Sequence, residues 1–274
     1  MMIRLFAPVL LSAFFLAAIN LQPRAEAATR PPLTCTLILD AKSNATIRRE
    51  GTCDEGFSPA STFKIPLALM GYDAGVLKDA HDPAWSWQPG IEAPKRDHKT
   101  VDPAIWERDS VLWYSREVTR RLGLKKFAAY VARLGYGNKD VAGDLGKNNG
   151  LTHSWLSSSL VISPDEQAQF IRRLLLDSLP ATKEAQALTR SVMPAFDGAG
   201  GWRVRGKTGS IWLRDKKNEY DKNHPIGWFV GWAEKGDRRI IFVRLDVGSE
   251  KSDRPKGPAV RDLFLKQLPK LMQR

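Results

Sequence analysis

The sequence predicts an α+β fold in which one antiparallel β-sheet is flanked by helices and carries an inserted helical lobe. Strand-like segments cluster toward the two ends of the chain after residue 27, whereas the middle has helical patterns. Strands at both ends with helices between them favour a single sheet assembled from both ends. We therefore expect one domain over residues 28–274, with a helical lobe over roughly 81–185.

The first 27 residues predict a secretory signal peptide. The positive charge of Arg4 precedes an apolar run over residues 5–21, and an A-x-A motif ends at Ala27. An uncleaved membrane anchor is the alternative, but the run is short for a bilayer and a cleavage site follows it. We expect cleavage after Ala27, a periplasmic location and no stable membrane insertion of the mature chain.

The first strands should form a hairpin, over residues 33–39 and 46–51, around Asn44. Cys35 and Cys53, the two cysteines, lie at equal offsets from Asn44. Equal offsets place the thiols opposite each other, and export favours their oxidation to a disulfide. Two free thiols remain the alternative.

The helices of the middle follow from capping signals. Ser58-Pro59 before an apolar run predicts a helix that begins near Ser61. Segments 105–122 and 125–134 each end at a glycine, Gly123 and Gly135. A capping box that starts at Ser163 opens another helix.

The C-terminal part returns to strands. Segments 202–204 (leading into Lys207), 226–233 and 239–246 read as strands, the last two joined by a hairpin turn. Apolar residues at helical spacing over 260–272 predict a final helix.

Charge and histidine placement argue against two functional classes. The chain has 42 Lys and Arg against 30 Asp and Glu, a net charge of +12. These charges are scattered rather than collected on one helix, so we expect no nucleic-acid partner, and the charge can attract anionic substrates. The histidines lie far apart without metal-ligand spacing, so no metal site is expected, and a zinc hydrolase gains no support. They are His81, His98, His153 and His224.

The candidate nucleophile lies in the S-x-x-K motif Ser61-Thr62-Phe63-Lys64. A spacing of three places the hydroxyl and the amine on one helical face, and the helix N-terminus favours a developing anion. A desolvated lysine can act as the base of such a serine. Ordinary residue usage yields roughly one S-x-x-K by chance in a chain of this length, so the motif is weak alone.

A second motif, Lys207-Thr208-Gly209, lies at the end of a strand-like segment. Lys207 can bind a substrate carboxylate, and Gly209 lets a substrate approach the strand edge. A solvated lysine on an edge strand is the alternative.

Together these motifs identify the chain as similar to the class D (oxacillinase-type) serine β-lactamases across essentially its whole mature length. Ser61-Thr62-Phe63-Lys64 matches the S-T-F-K of that class, and Tyr136-Gly137-Asn138 matches its Y-G-N. The aromatic segment 227–232 resembles the strand beside K-T-G. Trp155 matches a tryptophan beside the active-site lysine, and Arg261 stands near where relatives keep a carboxylate-binding arginine.

The resemblance implies hydrolysis of penicillin-type antibiotics through an acyl-enzyme on Ser61, and hence β-lactam resistance. It implies that Lys64 takes up carbon dioxide as a carbamate (N6-carboxylysine) and acts as the base, with no other cofactor. Backbone N–H groups of Ser61 and Ser210 would form the oxyanion hole. Lys207, Thr208, Gly209 and Arg261 would bind the substrate, and Ser110 with Lys207 would pass a proton to the leaving nitrogen.

One motif departs from the pattern. The family has S-x-V, whereas Ser110-Val111-Leu112 places a leucine where relatives have a valine beside the lysine. With Trp155, Leu112 is expected to line the lysine pocket, and the larger side chain bears on how water reaches it. Class A relatives carry Glu-x-x-x-Asn ahead of K-T-G, whereas here it follows, at Glu219 and Asn223. No G-x-S-x-G is present, so an esterase-type nucleophile elbow is not expected.

Two rival functions share the motifs. One is a penicillin sensor domain that is acylated without turnover, and the other is a cell-wall transpeptidase or carboxypeptidase. Sensors usually follow membrane segments and a protease domain, and the cell-wall enzymes usually have longer, anchored chains. The expected partner is thus a small β-lactam, and either a monomer or a dimer is consistent with the sequence.

Overall fold

The computed structural model describes residues 32–273 of the chain. The proposed signal peptide lies outside the described residues. Within residues 32–273, no helix is long and apolar enough to cross a membrane.

One six-stranded antiparallel sheet organises the described chain, in the order β2-β1-β8-β7-β6-β5. A separate pair, β3 and β4, forms a two-stranded ribbon. The strands are β1 (Leu33–Asp40), β2 (Thr46–Gly51), β3 (Trp85–Ser86), β4 (Thr100–Val101), β5 (Ala195–Gly198), β6 (Trp202–Arg214), β7 (Tyr220–Lys235) and β8 (Arg238–Val247). The first two strands pair with the last through β1 and β8, which confirms the predicted α+β sheet built from both ends of the chain.

The helices lie mainly between β2 and β5 in the sequence. They are α1 (Lys64–Asp73), α2 (Pro103–Asp109), α3 (Leu112–Leu122), α4 (Leu124–Leu134), α5 (Gly150–His153), α6 (Pro164–Leu175), α7 (Lys183–Val192) and α8 (Gly257–Leu271). Short 3₁₀ helices cover Ala60–Phe63, Lys95–Asp97 and Ala199–Gly201. The predicted capping box at Ser163 is present, with reciprocal bonds between Ser163 and Glu166.

The sheet is covered on both faces, which explains the continuous apolar run of its central strand. Residues 225–233 of β7 are all buried. Alternate side chains point to opposite faces, so Phe229 packs with Phe264 of α8, whereas Trp228 and Val230 join the core shared with the helices of the middle. This second face is the one that holds the candidate site.

The first hairpin is confirmed, but its register differs from the predicted one. Cys35 pairs with Gly51 rather than with Cys53, because the turn is centred between residues 42 and 43 rather than on Asn44, with the Asp40 N–H bonded to the Ala45 carbonyl. A bulge after Ile38 places one extra residue in β2 and moves the register one residue toward the predicted one. Cys53 lies just beyond the strand, and its sulfur still reaches Cys35 to form the predicted disulfide, with Cα atoms 5.2 Å apart.

The prediction of one helix over 105–122 was wrong. Asp102 caps α2, which ends at Ser110, where the backbone adopts a left-handed φ of 61°. Val111 is extended, and α3 begins at Leu112. Non-glycine residues occupy this region uncommonly, so neither Ser110 nor Val111 signalled a break. The break places Ser110 at a corner of the chain rather than along a helix.

Candidate active site

The nucleophile segment places Ser61 and Lys64 side by side. Ser61 lies in the 3₁₀ turn Ala60–Phe63, and Lys64 begins α1. The predicted helical neighbours are therefore confirmed as neighbours, and the Lys64 Nζ atom lies 3.4 Å from Ser61 Oγ. Ala60, immediately before the serine, has a left-handed φ of 49°. Such strain persists only where surrounding contacts over-determine it.

Those contacts come from Trp155 and β7. The Trp155 carbonyl oxygen accepts hydrogen bonds from the Ala60 N–H at 3.1 Å and from Ser58 Oγ at 2.7 Å. The indole N–H of Trp228 in turn donates to the Ser58 carbonyl at 2.9 Å. The residues before Ser61 are thus tied to the loop that carries Trp155 and to the centre of the sheet.

Lys64 occupies an apolar, enclosed pocket. Its side chain is 2% exposed, and the neighbouring Phe63 ring stacks on Trp155 with ring centroids 5.1 Å apart. Burial lowers the pKa of Lys64 to about 7, with a further lowering by the charge of Lys207. Close to neutral pH, therefore, a large share of this amine is uncharged.

Lys207 and Ser110 form a second serine–lysine pair. The Lys207 Nζ atom lies 3.0 Å from Ser110 Oγ and 3.2 Å from the Thr208 carbonyl oxygen. Lys207 is 2% exposed, and burial is the main reason that its pKa falls to about 8. The left-handed corner at Ser110 brings this hydroxyl to β6, which a continuous helix would not have done.

The part of β6 around residues 207–210 forms a free edge of the sheet. The pairing of β5 with β6 ends at Arg205. The Gly206 N–H donates a hydrogen bond to the Pro194 carbonyl oxygen, with 3.0 Å between nitrogen and oxygen. N–H groups two residues apart in a strand point the same way, so those of Thr208 and Ser210 also face away from β7. An extended substrate can hydrogen-bond along this edge.

Gly209 brings the strand close to the nucleophile turn. A Cβ atom at Gly209 would lie 2.8 Å from the Pro59 carbonyl oxygen and 3.1 Å from Thr62 Cγ2. Real Cβ atoms do not approach a backbone oxygen so closely, so this position requires glycine. The predicted reason for Gly209 was substrate approach, and the structure adds close packing against the nucleophile turn.

The other predicted residues lie around this cleft. Leu112 begins α3 two residues after Ser110 and packs, partly buried, against the core that contains Trp155. Arg261 lies on α8, where its guanidinium stands 5.1 Å from the Phe196 ring and its Nε bonds Asp262 at 2.8 Å. Its positive charge acts on Lys207, lowering the pKa of that lysine.

The Y-G-N motif serves packing and loop structure. Tyr136 is buried against Phe63, with ring centroids 5.5 Å apart. Asn138 donates to the Ser159 carbonyl at 2.8 Å and accepts from the backbone N–H of Asp140 and Val161. The motif thus supports the Phe63 ring, which precedes Lys64 in the chain, and fixes the loop around Asn138.

Glu107 is among the ionisable residues that sequence reasoning missed. It is fully buried in α2, and burial raises its pKa to about 7 against the opposing charges of Lys207 and Lys64. In the sequence it lies in the run Glu107-Arg108-Asp109, which resembles a solvated helix face. Its position three residues before Ser110 was the available signal.

Within residues 32–273, no group of three or more His, Cys, Asp or Glu side chains is arranged to hold a metal ion. The groups that the structure brings to the cleft are two hydroxyls and two buried amines. They are Ser61, Ser110, Lys64 and Lys207.

Comparison with known proteins agrees with this arrangement. The chain matches the penicillin binding protein transpeptidase domain family over residues 35–265. It is 47% identical to β-lactamase OXA-9 of Klebsiella pneumoniae over 242 residues, which cover 88% of each chain. It is 36% identical to β-lactamase OXA-1 of Escherichia coli over 219 residues, 78% of this chain and 76% of that one. The crystal structure of the class D β-lactamase OXA-427 superposes with a TM-score of 0.79 at 38% identity, covering 86% of this chain and 97% of that one.

The sheet, the helices and the serine–lysine pairs therefore define a penicillin-recognising serine enzyme of the transpeptidase type. Within that class, the chain belongs to the class D serine β-lactamases.

Proposed function

We propose that this protein hydrolyses the β-lactam amide bond of penicillin-type antibiotics through an acyl-enzyme on Ser61, and so confers β-lactam resistance. The observation that carries the proposal is the convergence of two serine–lysine pairs. Lys64 Nζ lies 3.4 Å from Ser61 Oγ, and Lys207 Nζ lies 3.0 Å from Ser110 Oγ. A nucleophile with an adjacent base, beside a second proton-transfer pair, is the arrangement that acyl transfer needs.

In the proposed acylation, Ser61 Oγ gives its proton to the basic group at Lys64 and attacks the lactam carbonyl carbon, and the carbon–nitrogen bond of the ring breaks. The oxyanion accepts hydrogen bonds from the N–H groups of Ser61 and Ser210, the second of which faces the free edge of β6. Such preorganised donors usually supply the largest single part of the rate enhancement. Ser110 and Lys207 pass a proton to the departing nitrogen. Water then gives a proton to the same basic group and attacks the ester carbonyl. The ester carbon–oxygen bond breaks, and Ser61 Oγ takes a proton back.

The Lys64 pocket has the chemistry that a carbamate needs. Carbon dioxide adds only to an uncharged amine, and burial lowers the pKa of Lys64 to about 7. Its apolar wall is supplied by Phe63 and Trp155, and we place Leu112 there as well. When bound to Lys64, carbon dioxide supplies an anionic base beside Ser61 Oγ. The protein's own contribution is to desolvate the amine and to hold it next to the serine.

Binding of the substrate carboxylate is assigned to the free edge of β6. Lys207 and Arg261 provide positive charge, Thr208 provides a hydroxyl, and Gly209 keeps the edge open to an extended ligand. A cation on each side of a carboxylate strengthens its hydrogen bonds relative to neutral donors. We also propose that the mature chain, after removal of residues 1–27, works in the periplasm as a monomer or dimer.

Steady-state turnover of a chromogenic cephalosporin and of oxacillin by the purified protein tests this function. We expect many turnovers per enzyme molecule and a linear rate in enzyme concentration. A penicillin sensor would instead give one stoichiometric acylation without turnover, and a cell-wall enzyme would release product only very slowly. Either of those outcomes contradicts the proposal.

A further inference from the structure

Glu107 is a buried carboxylate without a hydrogen-bonding partner. Its exposure is 0%, and among residues 32–273 no protein group donates a hydrogen bond to either carboxylate oxygen. Removing a carboxylate from water is costly unless opposite charge compensates for it. Such a group in the middle of α2 therefore needs a nearby cation, or it stays protonated.

The cations that act on Glu107 belong to the candidate active site. Among opposing charges Lys207 has the larger effect on Glu107, and Lys64 has the next. Ser110, which accepts a hydrogen bond from Lys207 at 3.0 Å, follows Glu107 by three residues. Glu107 and the hydroxyl that contacts Lys207 therefore lie within one four-residue segment of the chain, at the end of α2.

The remaining neighbours do not provide another counter-ion. Tyr72 of α1 interacts with Glu107 as a buried phenol whose pKa is raised. Helix α7 packs beside α2, and its buried polar side chains are the uncharged Gln186 and Thr189. Asp97 acts on Lys64 and Arg261 acts on Lys207, and neither is among the charges that shift the pKa of Glu107.

The charge of Glu107 affects the two lysines unequally. For Lys207 it is the largest effect after burial, and it opposes the lowering of the pKa. For Lys64 it ranks below the repulsion from Lys207. Two coupled buried amines compete for charge, and a carboxylate that interacts more strongly with one of them favours the proton on that amine.

We propose that Glu107 is the buried counter-ion that keeps Lys207 protonated and thereby leaves Lys64 as the uncharged amine of the pair. This inference rests on the proposed function, in which Lys207 must be a cation to bind the substrate carboxylate and Lys64 must be neutral to take up carbon dioxide. Glu107 touches neither substrate nor nucleophile in this account. It is a positioning residue that determines which of the two lysines is protonated.

The test is Glu107→Gln, which keeps the shape and removes the charge. Loss of the carboxylate lowers the pKa of Lys207 more than that of Lys64. The alkaline limb of the kcat/KM profile for benzylpenicillin should therefore move to lower pH by roughly one unit. At a pH above that limb, kcat/KM of the variant should be about tenfold lower than that of wild type. The loss should appear as a higher KM at alkaline pH, with kcat changed less. Carbamate formation, measured by carbon-13 NMR with labelled bicarbonate, should need no more bicarbonate than in wild type.

Two variants serve as controls. Glu107→Asp retains a carboxylate and should restore the alkaline limb toward its wild-type position. Glu117→Gln removes a partly exposed carboxylate on α3 that pairs with Arg121, and it should leave the profile unchanged. If Glu107→Gln folds, as judged by circular dichroism, and lowers the rate equally at every pH, Glu107 has only a structural role and the inference fails.

A measurement on the unmodified chain covers the case in which Glu107→Gln does not fold. In enzyme freed of carbon dioxide, carbon-13 at lysine Cε should show Lys207 titrating at higher pH than Lys64. The two signals are assigned by their loss in Lys207→Arg and Lys64→Arg. The reverse order overturns the inference. Absence of wild-type turnover would instead refute the proposed function, so the two failures are distinguishable.

Discussion

At the scale of single residues, the proposed mechanism requires opposite protonation states of two lysines in one cleft. Lys64 must lose its proton near neutral pH, whereas Lys207 must keep one. Both are equally buried, so burial alone cannot separate them. Their different neighbours do: Ser61 Oγ lies 3.4 Å from the Lys64 amine, whereas Lys207 donates a hydrogen bond to Ser110 and interacts more strongly than Lys64 with Glu107. A lysine's function here is therefore set by its surroundings.

A pH dependence of activity follows for Lys64. Its amine is protonated below a pKa of about 7 and cannot then take up carbon dioxide, so activity should fall as the pH drops and recover with added bicarbonate. Trp155→Ala should admit water to the pocket, and we expect it to raise the bicarbonate needed for half-maximal activity by roughly tenfold, about 1.4 kcal/mol. Rates measured with and without bicarbonate from acid to neutral pH check this.

The matched control is Trp202→Ala, which removes an equally large buried ring from the opposite face of the sheet. It should leave the bicarbonate requirement unchanged. If bicarbonate has no effect on the acid-side rate of wild type, and labelled bicarbonate gives no carbamate signal in carbon-13 NMR, then Lys64 works as a free amine.

At the scale of elements, two local irregularities position the site and its surroundings. The left-handed corner at Ser110 divides what the periodicity predicts as one helix, and it turns the hydroxyl toward β6. The bulge in the first hairpin brings Cys53 one residue closer to register with Cys35, and the disulfide forms across the strand end. Both depend on backbone conformations that the side-chain pattern does not encode.

The disulfide should contribute measurably to stability. It closes a loop with a sequence separation of 18, for which the chain-entropy model gives about 3 kcal/mol. Replacing both Cys35 and Cys53 by alanine should lower the free energy of unfolding by about that amount, measured by urea denaturation. Titration of the unfolded, unreduced wild type should find no reactive thiol, and two reactive thiols would refute the bridge.

At the scale of the whole molecule, the fold class and the two motif lysines could be predicted from the sequence because they depend on local signals. Capping residues predicted the helix that begins after Ser163, and the spacing of three predicted that Ser61 and Lys64 are neighbours. Glu107 could not be found this way, because its burial depends on how α2 packs against α3, α7 and β4. The free edge of β6 likewise depends on where β5 stops. The burial of Glu107 and the free edge of β6 are both set by tertiary contacts, which a local sequence pattern does not encode.

The central claim, that Ser61 is the nucleophile of a β-lactam hydrolase, is tested most directly by intact-protein mass spectrometry after penicillin treatment. Wild type stopped during turnover should carry a covalent adduct of penicillin mass, and peptide mapping should place it on Ser61. Ser61→Ala should keep the fold, carry no adduct and lose at least about a thousandfold in kcat. Ser191→Ala, which alters an exposed serine outside the cleft, should behave as wild type. An adduct on Ser61→Ala, or unimpaired turnover by that variant, would contradict the account.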